Sequence, residues 1–418
     1  VMRRFGDSFT QCIYLDLEKK EDREIFSEDL PFHQLLQGIF FLKNASIHEK
    51  STLLCIDEIQ NSPEAMQSLR FFHEEVPELP VVCAGSLLEV YIDTYSVSFP
   101  VGRVEYLYLF PLDFEEYIDN LDVEGPAYAY RELPVPPYAY GTLMELFHEY
   151  GKIGGMPEVC ADYMAHRDMV RLGRIYENLL TSYIDDAAKY SSHPSSYHAL
   201  RHVIETAAGE AGSRITFHGF GNSSYRSREM GEAFRTLERA MLLYLLYPTT
   251  DTRMPLLPDQ KKSPRLQFID IGLLNHSAGL QEHYIGIEDL NSLYKGRLME
   301  QLVGQELMAG SARKLEKPRF WVREKRGSDA QVDFLHTHGG KAYPVETKSG
   351  KTGKLRSLHV FMDESELSIA FRLYAGKQRK DIVESRSGRS YTLFSLPYYL
   401  AGRLKTYIEF FDSGHRRE

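Results

Sequence analysis

Residues 53–60 read Leu-Leu-Cys-Ile-Asp-Glu-Ile-Gln, and the reading of this stretch decides how the N-terminal part of the chain is understood. Four largely apolar residues in succession describe a strand buried on both faces, the pattern of a parallel sheet covered by helices. Asp57 and Glu58 then stand at its carboxyl end. Ligands of open parallel sheets bind beyond the carboxyl ends of the strands, so two acids at such a tip are well placed for chemistry. Strings of this kind also end many ordinary strands, so the flanking segments must carry part of the argument.

Working outward, QCIYLDL (11–17) and LPVVCAGS (79–86) are further apolar strands. PEAMQSLRFFHEEV (63–76) has helical spacing, with Pro63 suited to a first turn. Residues 1–112 thus alternate strands and helices, the α/β order of a parallel sheet. In phosphate-loop ATPases an acid at a strand tip holds Mg²⁺ and a second acid polarises the attacking water. Asp57 fits the first role and Glu58 the second. Ser86, just past the next strand, is placed to meet a γ-phosphate or the water. Arg103 follows Gly102, where a mobile arginine can stabilise transition-state charge.

The chain begins at Val1, in what reads as the middle of a domain, and residues are expected upstream. LLCIDEIQ, VVCAGSLLEV (81–90), SFPVGRVEYLYLFPLDFEEY (98–117), YGKIGGMPEV (150–159), RLQFIDIGLLN (265–275) and KGRLMEQLVGQEL (295–307) follow one another in order. In that order the chain resembles the AAA-like ATPases that carry a C-terminal domain of unknown function, DUF4143. The resemblance covers nearly all of it. It implies that Asp57 and Glu58 are the Walker B acids, Ser86 the sensor position and Arg103 a sensor or finger arginine. It also implies ATP and Mg²⁺ as cofactors and an assembly of like subunits. The family's GxxxxGK[ST] phosphate loop, which precedes the first of these motifs, does not occur in the 418 residues. SGKTGKLRS (349–357) lacks the spacing. The expectation is an AAA core cut before its phosphate loop, with weak ATP binding by the chain alone; a degenerate ATPase is the alternative.

The C-terminal part carries a second signal. RFWVREK (319–325), AQVDFLHTH (330–338) and KAYPVETKSG (341–350) read as consecutive strands. Side chains alternate along a strand, so Glu346 and Lys348 share a face, and the HTHGGK turn brings Asp333 beside them. Two carboxylates, Asp333 and Glu346, can bind Mg²⁺, a hard ion that takes oxygen ligands, and Lys348 can orient water. This is the D…ExK arrangement of the PD-(D/E)xK nuclease-like fold. Glu300 and Glu306 on the preceding helix are candidates for a further acid. Lys351, Lys354 and Arg356 are candidates for DNA phosphates. On the bland reading, a Glu and a Lys two apart are simply a solvated strand face.

Between the two parts, VEGPAYAYRELPVPPYAYG (123–141) reads as a linker, and 215–248 resembles a winged helix in which Arg226 and Arg228 can touch phosphate. Interleaved Glu229 and Glu232 favour a packing role for that helix instead. The expected fold class is therefore α/β: an incomplete parallel-sheet AAA-type ATPase core (1–122), the linker (123–141), a helical and winged-helix middle (142–284) and a C-terminal α/β PD-(D/E)xK-like module (285–418).

The net charge of −10 argues against a general nucleic-acid coat protein. The charge is uneven: residues 311–418 hold 22 Lys and Arg against 13 Asp and Glu, a balance of +9, leaving −19 for the rest. A polyanion would approach the basic end only. Cys12, Cys55, Cys83 and Cys160 form no CxxC, which fits a reducing cytoplasm and excludes a zinc-ribbon pattern. No apolar run is long enough for a membrane span. Two rival functions remain open at this stage: a Mg²⁺-dependent nuclease with a regulatory or dead ATPase part, and a non-enzymatic DNA- or protein-binding module.

Overall fold

The computed structural model describes residues 1–27, 30–85, 102–121, 123–189, 194–281, 296–310, 317–324, 329–348, 350 and 355–414. The chain divides into two compact units, Val1–Tyr106 and Leu107–Glu418.

The first unit is built on a parallel sheet of β1 (Gln11–Asp16), β2 (Thr52–Asp57) and β3 (Val81–Cys83), in that spatial order. The central strand β2 is the apolar run noted above. Its Leu53, Leu54, Cys55 and Ile56 have no exposed surface, as a strand covered on both faces requires. The helix Pro63–Glu75 starts where the sequence signals it: Ser62 Oγ accepts from Ala65 N at 3.1 Å, and Pro63 takes the first turn. Met66, Leu69 and Phe72 bury its inner face.

The second unit opens with helices Phe114–Asp119, Glu124–Arg131, Tyr140–Ile153, Pro157–His166, Met169–Lys189, Pro194–Glu210 and Ser227–Arg239. Next come β4 (Leu243–Leu246), β5 (Pro248–Thr249) and β6 (Arg265–Phe268), then helices Ile271–Ser277 and Arg297–Ala309. The rest is β7 (Arg319–Arg323), β8 (Ala330–His338), β9 (Lys341–Lys348), helix Arg356–Glu364, β10 (Ile369–Tyr374), β11 (Arg379–Glu384), β12 (Ser390–Pro397) and helix Leu404–Gly414. Seven of these strands form one mixed sheet in the order β11-β12-β10-β9-β8-β7-β5. β8 is antiparallel to β7 and β9, whereas β10 is parallel to β9 and β12.

Residues 123–141 are not a linker. They form the helix Glu124–Arg131 and a packed turn that leads into the next helix. Tyr130 and Val135 are buried, Tyr130 OH donates to Tyr399 O at 2.9 Å, and Val135 N donates to Tyr407 OH at 3.0 Å. Proline and tyrosine here stiffen and fill a packed corner rather than spacing two domains.

The expected division at 284/285 does not separate compact parts either. β5 leaves the antiparallel pair β4–β6 and pairs parallel with β7 in the large sheet. Gln305 Oε1 accepts from Ile271 N at 2.8 Å, and one apolar core runs from Phe114 to Ile408. Helix Pro194–Glu210, the isolated bridge of Arg214 to Arg265, helix Ser227–Arg239 and the antiparallel β4–β6 pair follow one another in this region. The excursion between β4 and β6, however, is anchored through β5 instead of standing free as a wing.

Candidate functional site

In the first unit Asp57 ends β2 and Glu58 follows in the left-handed region, at φ 53° and ψ 42°. That conformation costs a non-glycine residue roughly 1–2 kcal/mol. It turns the backbone out of the pleat into the short helical turn Ile59–Asn61, and Ile59 N donates to Ala84 O at 3.0 Å, past the end of β3. Asp57 Oδ1 accepts from Glu58 N at 3.1 Å, and Asp57 Oδ2 accepts from Tyr14 OH on β1. This hydrogen bond, with burial, pushes the Tyr14 phenol up from its ordinary value. The Glu58 carboxylate accepts from Gln60 Nε2. Arg103 pairs with Glu74 at 2.7 Å. Ser86 lies outside the described residues.

In the second unit the register of β8 and β9 pairs Phe334 with Val345, which sets Asp333 opposite Glu346. Lys348 Nζ lies 2.5 Å from Glu346 Oε1, and Asp333 Oδ2 accepts from Thr347 N at 2.8 Å. Glu346 Oε2 is buried and has no hydrogen-bond partner among the described residues. Burial raises the pKa of Glu300, Asp333 and Glu346, and the Asp333 charge adds to the rise at both glutamates. At Lys348 burial opposes the charge, but Glu346, Asp333 and Glu300 together outweigh it and hold the ammonium above its usual range. A carboxylate-rich, partly water-excluded cluster of this kind attracts cations. Among the described residues, though, no three His, Cys, Asp or Glu side chains converge closely enough to hold a metal by themselves.

Sequence reasoning missed Arg265 of β6. Its side chain is buried between Phe320 and Phe334, with the guanidinium carbon 4.8 and 4.5 Å from the ring centres. Nη2 donates to Asp333 O at 2.8 Å, and Nη1 lies 3.5 Å from Glu300 Oε2. No local pattern marks this residue, because its role depends on β6 reaching the large sheet. Arg372 on β10 was missed as well. It is the register partner of Glu346, is hydrogen-bonded through Nε and Nη2 to Ser395 Oγ (3.1 and 2.8 Å), and stacks on Tyr374.

Glu306 does not join Glu300. It is buried elsewhere, where it accepts from Phe114 N at 3.2 Å and meets Tyr150 OH at 2.9 Å. Six residues, about 1.7 turns of helix, separate it from Glu300, so its side chain leaves the helix on a different face, beside the start of helix Phe114–Asp119. Tyr150 OH also lies 2.8 Å from Leu112 O. A phenol has one proton. When that proton goes to the Leu112 carbonyl, the contact to Glu306 needs a proton from the carboxyl group. Burial pushes Glu306 up to about 8 and Asp270, which accepts from Gly155 N at 2.6 Å, up to about 6. Unfolded carboxyls titrate near 4, so between about pH 4 and 8 the native state holds more protons. The stabilisation is complete below about pH 4 and is lost as pH rises through about 8. Denaturant unfolding from pH 5 to 8 should show stability falling, with a flatter profile in Glu306→Gln; an unchanged slope in that variant would reject the protonated carboxyl.

The remaining expected contacts are scattered. Arg226 and Arg228 are exposed at the start of helix Ser227–Arg239, and Arg228 pairs with Glu232 at 3.1 Å. Arg356 is exposed at the start of its helix. Lys351 and Lys354 lie outside the described residues. No helix among the described residues is long and apolar enough to cross a membrane.

Three family models match the chain. An AAA domain covers residues 1–118, a domain of unknown function (DUF8612) covers 144–284, and a domain of unknown function (DUF4143) covers 295–399. No curated protein and no solved structure matches it. The AAA match contains β1, β2 and the Asp57–Glu58 tip; the DUF4143 match contains Glu300, Asp333, Glu346 and Lys348. With an AAA domain match at its N-terminal end and a DUF4143 match towards its C-terminal end, the chain has the domain order of AAA-like ATPases that carry a C-terminal DUF4143 domain.

Proposed function

We propose that this is a cytoplasmic ATP-binding and ATP-hydrolysing AAA protein that acts as an assembly of like subunits. The observation that carries the reading is Asp57 at the tip of a fully buried central parallel strand, followed by Glu58 in a left-handed turn. Mg²⁺ commonly binds through one or two carboxylates together with substrate phosphates and water, and a single strand-tip carboxylate fits that donor set. Asp57 would hold the ion, which would neutralise charge on the transferred phosphoryl group. Glu58 polarises water, Ser86 meets the γ-phosphate and Arg103 stabilises developing charge after leaving Glu74. The phosphate-gripping loop is not among these 418 residues, so ATP binding by the chain alone is expected to be weak. The four cysteines, all unbridged, support a reducing compartment. The test is Mg²⁺-dependent phosphate release from ATP by protein that carries a phosphate loop. The expected result is loss of release in Asp57→Ala; turnover that survives this change rejects the assignment.

A second activity is favoured by the Glu346–Lys348 pair with Asp333 across the strand from it, and by Glu300 tied to the Asp333 backbone through Arg265. The helix Arg297–Ala309, strands β7–β9, helix Arg356–Glu364 and β10 follow in the order of a PD-(D/E)xK-like module. The buried, unpartnered Glu346 Oε2 fits a Mg²⁺ ligand, with Asp333 beside it. Such an ion would activate water for attack on a DNA phosphodiester. Lys348 orients that water and offsets phosphate charge. Mg²⁺-dependent DNA cleavage, lost in Asp333→Ala and in Lys348→Ala, is the expected result. Binding with a steep salt dependence but no cleavage would reduce the module to DNA holding.

A further inference from the structure

Beyond the carboxyl ends of β10 and β12 lies a cavity of about 160 Å³. Pro136, Tyr140, Pro397 and Tyr399 provide flat apolar walls, and Lys377 and Gln378 provide its polar groups. Gln378 Oε1 is buried with no hydrogen-bond partner among the described residues. Lys377 is exposed, with Nζ 6.0 Å from the Tyr140 ring centre. Lys380 is exposed nearby in sequence, whereas Arg379 is taken up by Asp381 at 2.7 Å.

Each feature narrows the ligand. Apolar cavities of about 150 Å³ accommodate one six-membered aromatic ring. Tyrosine and proline faces favour a planar ring over a branched side chain. A buried amide oxygen without a partner costs roughly 1–3 kcal/mol and calls for an N–H donor on the occupant. The lysines call for an anion attached to the ring. A nucleobase on a phosphate backbone meets all four demands, since bases stack on aromatic side chains while cations track the phosphates. The position agrees: Lys348, Tyr374 and Pro397 stand in one transverse row across β9, β10 and β12, and Pro397 is also a cavity wall.

We propose that this cavity seats one base of a single-stranded DNA segment whose phosphates run over Lys377 and Lys380 towards Lys348. The choice of DNA rests on the cleavage reading above; the pocket itself does not. The experiment is fluorescence anisotropy of labelled oligo(dT) with the whole chain and with Gln378→Met, Tyr140→Ala and Lys377→Ala. Gln378→Met preserves volume and removes the acceptor. It and Tyr140→Ala should weaken binding roughly ten- to hundredfold, while Gln378→Met, freed of the unpartnered oxygen, should unfold at the wild-type temperature or above it. Lys377→Ala should lower the salt slope by about one.

Wild-type affinity in both Gln378→Met and Tyr140→Ala overturns the pocket. If those variants also cleave DNA normally, the cleavage reading stands without it. Variant-sensitive binding with no cleavage keeps the pocket and rejects the nuclease. Free dTMP binding as tightly as oligo(dT) overturns the polymer, as does a proline- and tryptophan-bearing peptide that binds where oligo(dT) does not.

Discussion

If Glu58 activates water as proposed, Glu58→Gln should lower ATP turnover by roughly 10²- to 10⁴-fold, the range for loss of a positioned general base, and leave nucleotide affinity nearly unchanged. Asp57 and the phosphate contacts remain, so binding survives; the amide cannot take the proton of the attacking water, so the barrier rises. Each tenfold loss corresponds to about 1.4 kcal/mol. Glu58→Gly separates this role from a structural one. Glycine adopts the left-handed conformation at residue 58 freely, so that variant should gain on the order of 1 kcal/mol in stability while losing turnover just as fully. Strain kept at a site, with a loss of activity when it is relieved, marks function rather than packing. Phosphate release, fluorescent-nucleotide titration and thermal unfolding check the three statements. Normal turnover in Glu58→Gln would sink the assignment of water activation to this residue.

The second large effect is on stability. Gly272→Ala and Gly155→Ala should each destabilise the second unit by about 3–5 kcal/mol, the upper range for overpacking and broken buried networks. A Cβ at Gly272 would lie 2.1 Å from Ile153 O, and one at Gly155 would lie 2.0 Å from Leu112 O. Both obstacles are backbone carbonyls, which cannot rotate away as a side chain can. Gly155 N also donates to Asp270 Oδ2, and Asp270 caps helix Ile271–Ser277 through Leu273 N. The two glycines are thus the two halves of one interlock. At about 2–4 °C per kcal/mol for a large domain, each change lowers Tm by about 10 °C. Gly209→Ala is the control: nothing lies within 4 Å of its added Cβ, and a helical Gly→Ala exchange is neutral to stabilising. Equal losses at all three positions would reject the interlock.

The interlock also accounts for two of the chain's motifs. YGKIGGMPEV and RLQFIDIGLLN contain no catalytic group of the readings above. They meet at Gly154, Gly155, Asp270 and Gly272, where close backbone approach leaves few residue choices. Such constraints are readable as motifs, but what they constrain becomes visible only when the two segments touch.

Local chemistry determined much by itself. The apolar run 53–56 between its flanking strands and helix read as a doubly covered strand, Ser62-Pro63 announced a helix start, and the alternation of 330–338 and 341–348 around His-Gly-Gly-Lys set a hairpin in which Asp333 faces Glu346. These readings hold because period, capping and turn chemistry act over a few residues. Composition misled at 123–141, since proline and tyrosine serve a packed corner as readily as a linker. Helical spacing alone left Glu300 and Glu306 open; tertiary packing decided, giving Glu300 to Asp333 and Glu346, and Glu306 to Phe114 N and Tyr150. The same holds for Arg265, whose partners are Glu300 in the helix Arg297–Ala309 and, 68 residues away, Asp333. It holds too for the strand β5, which ties the middle of the chain into the C-terminal sheet. Sequence carries what neighbours along the chain enforce. Which buried charges meet, and which segments share one core, depends on contacts between distant residues, and those exist only once the sheet has assembled.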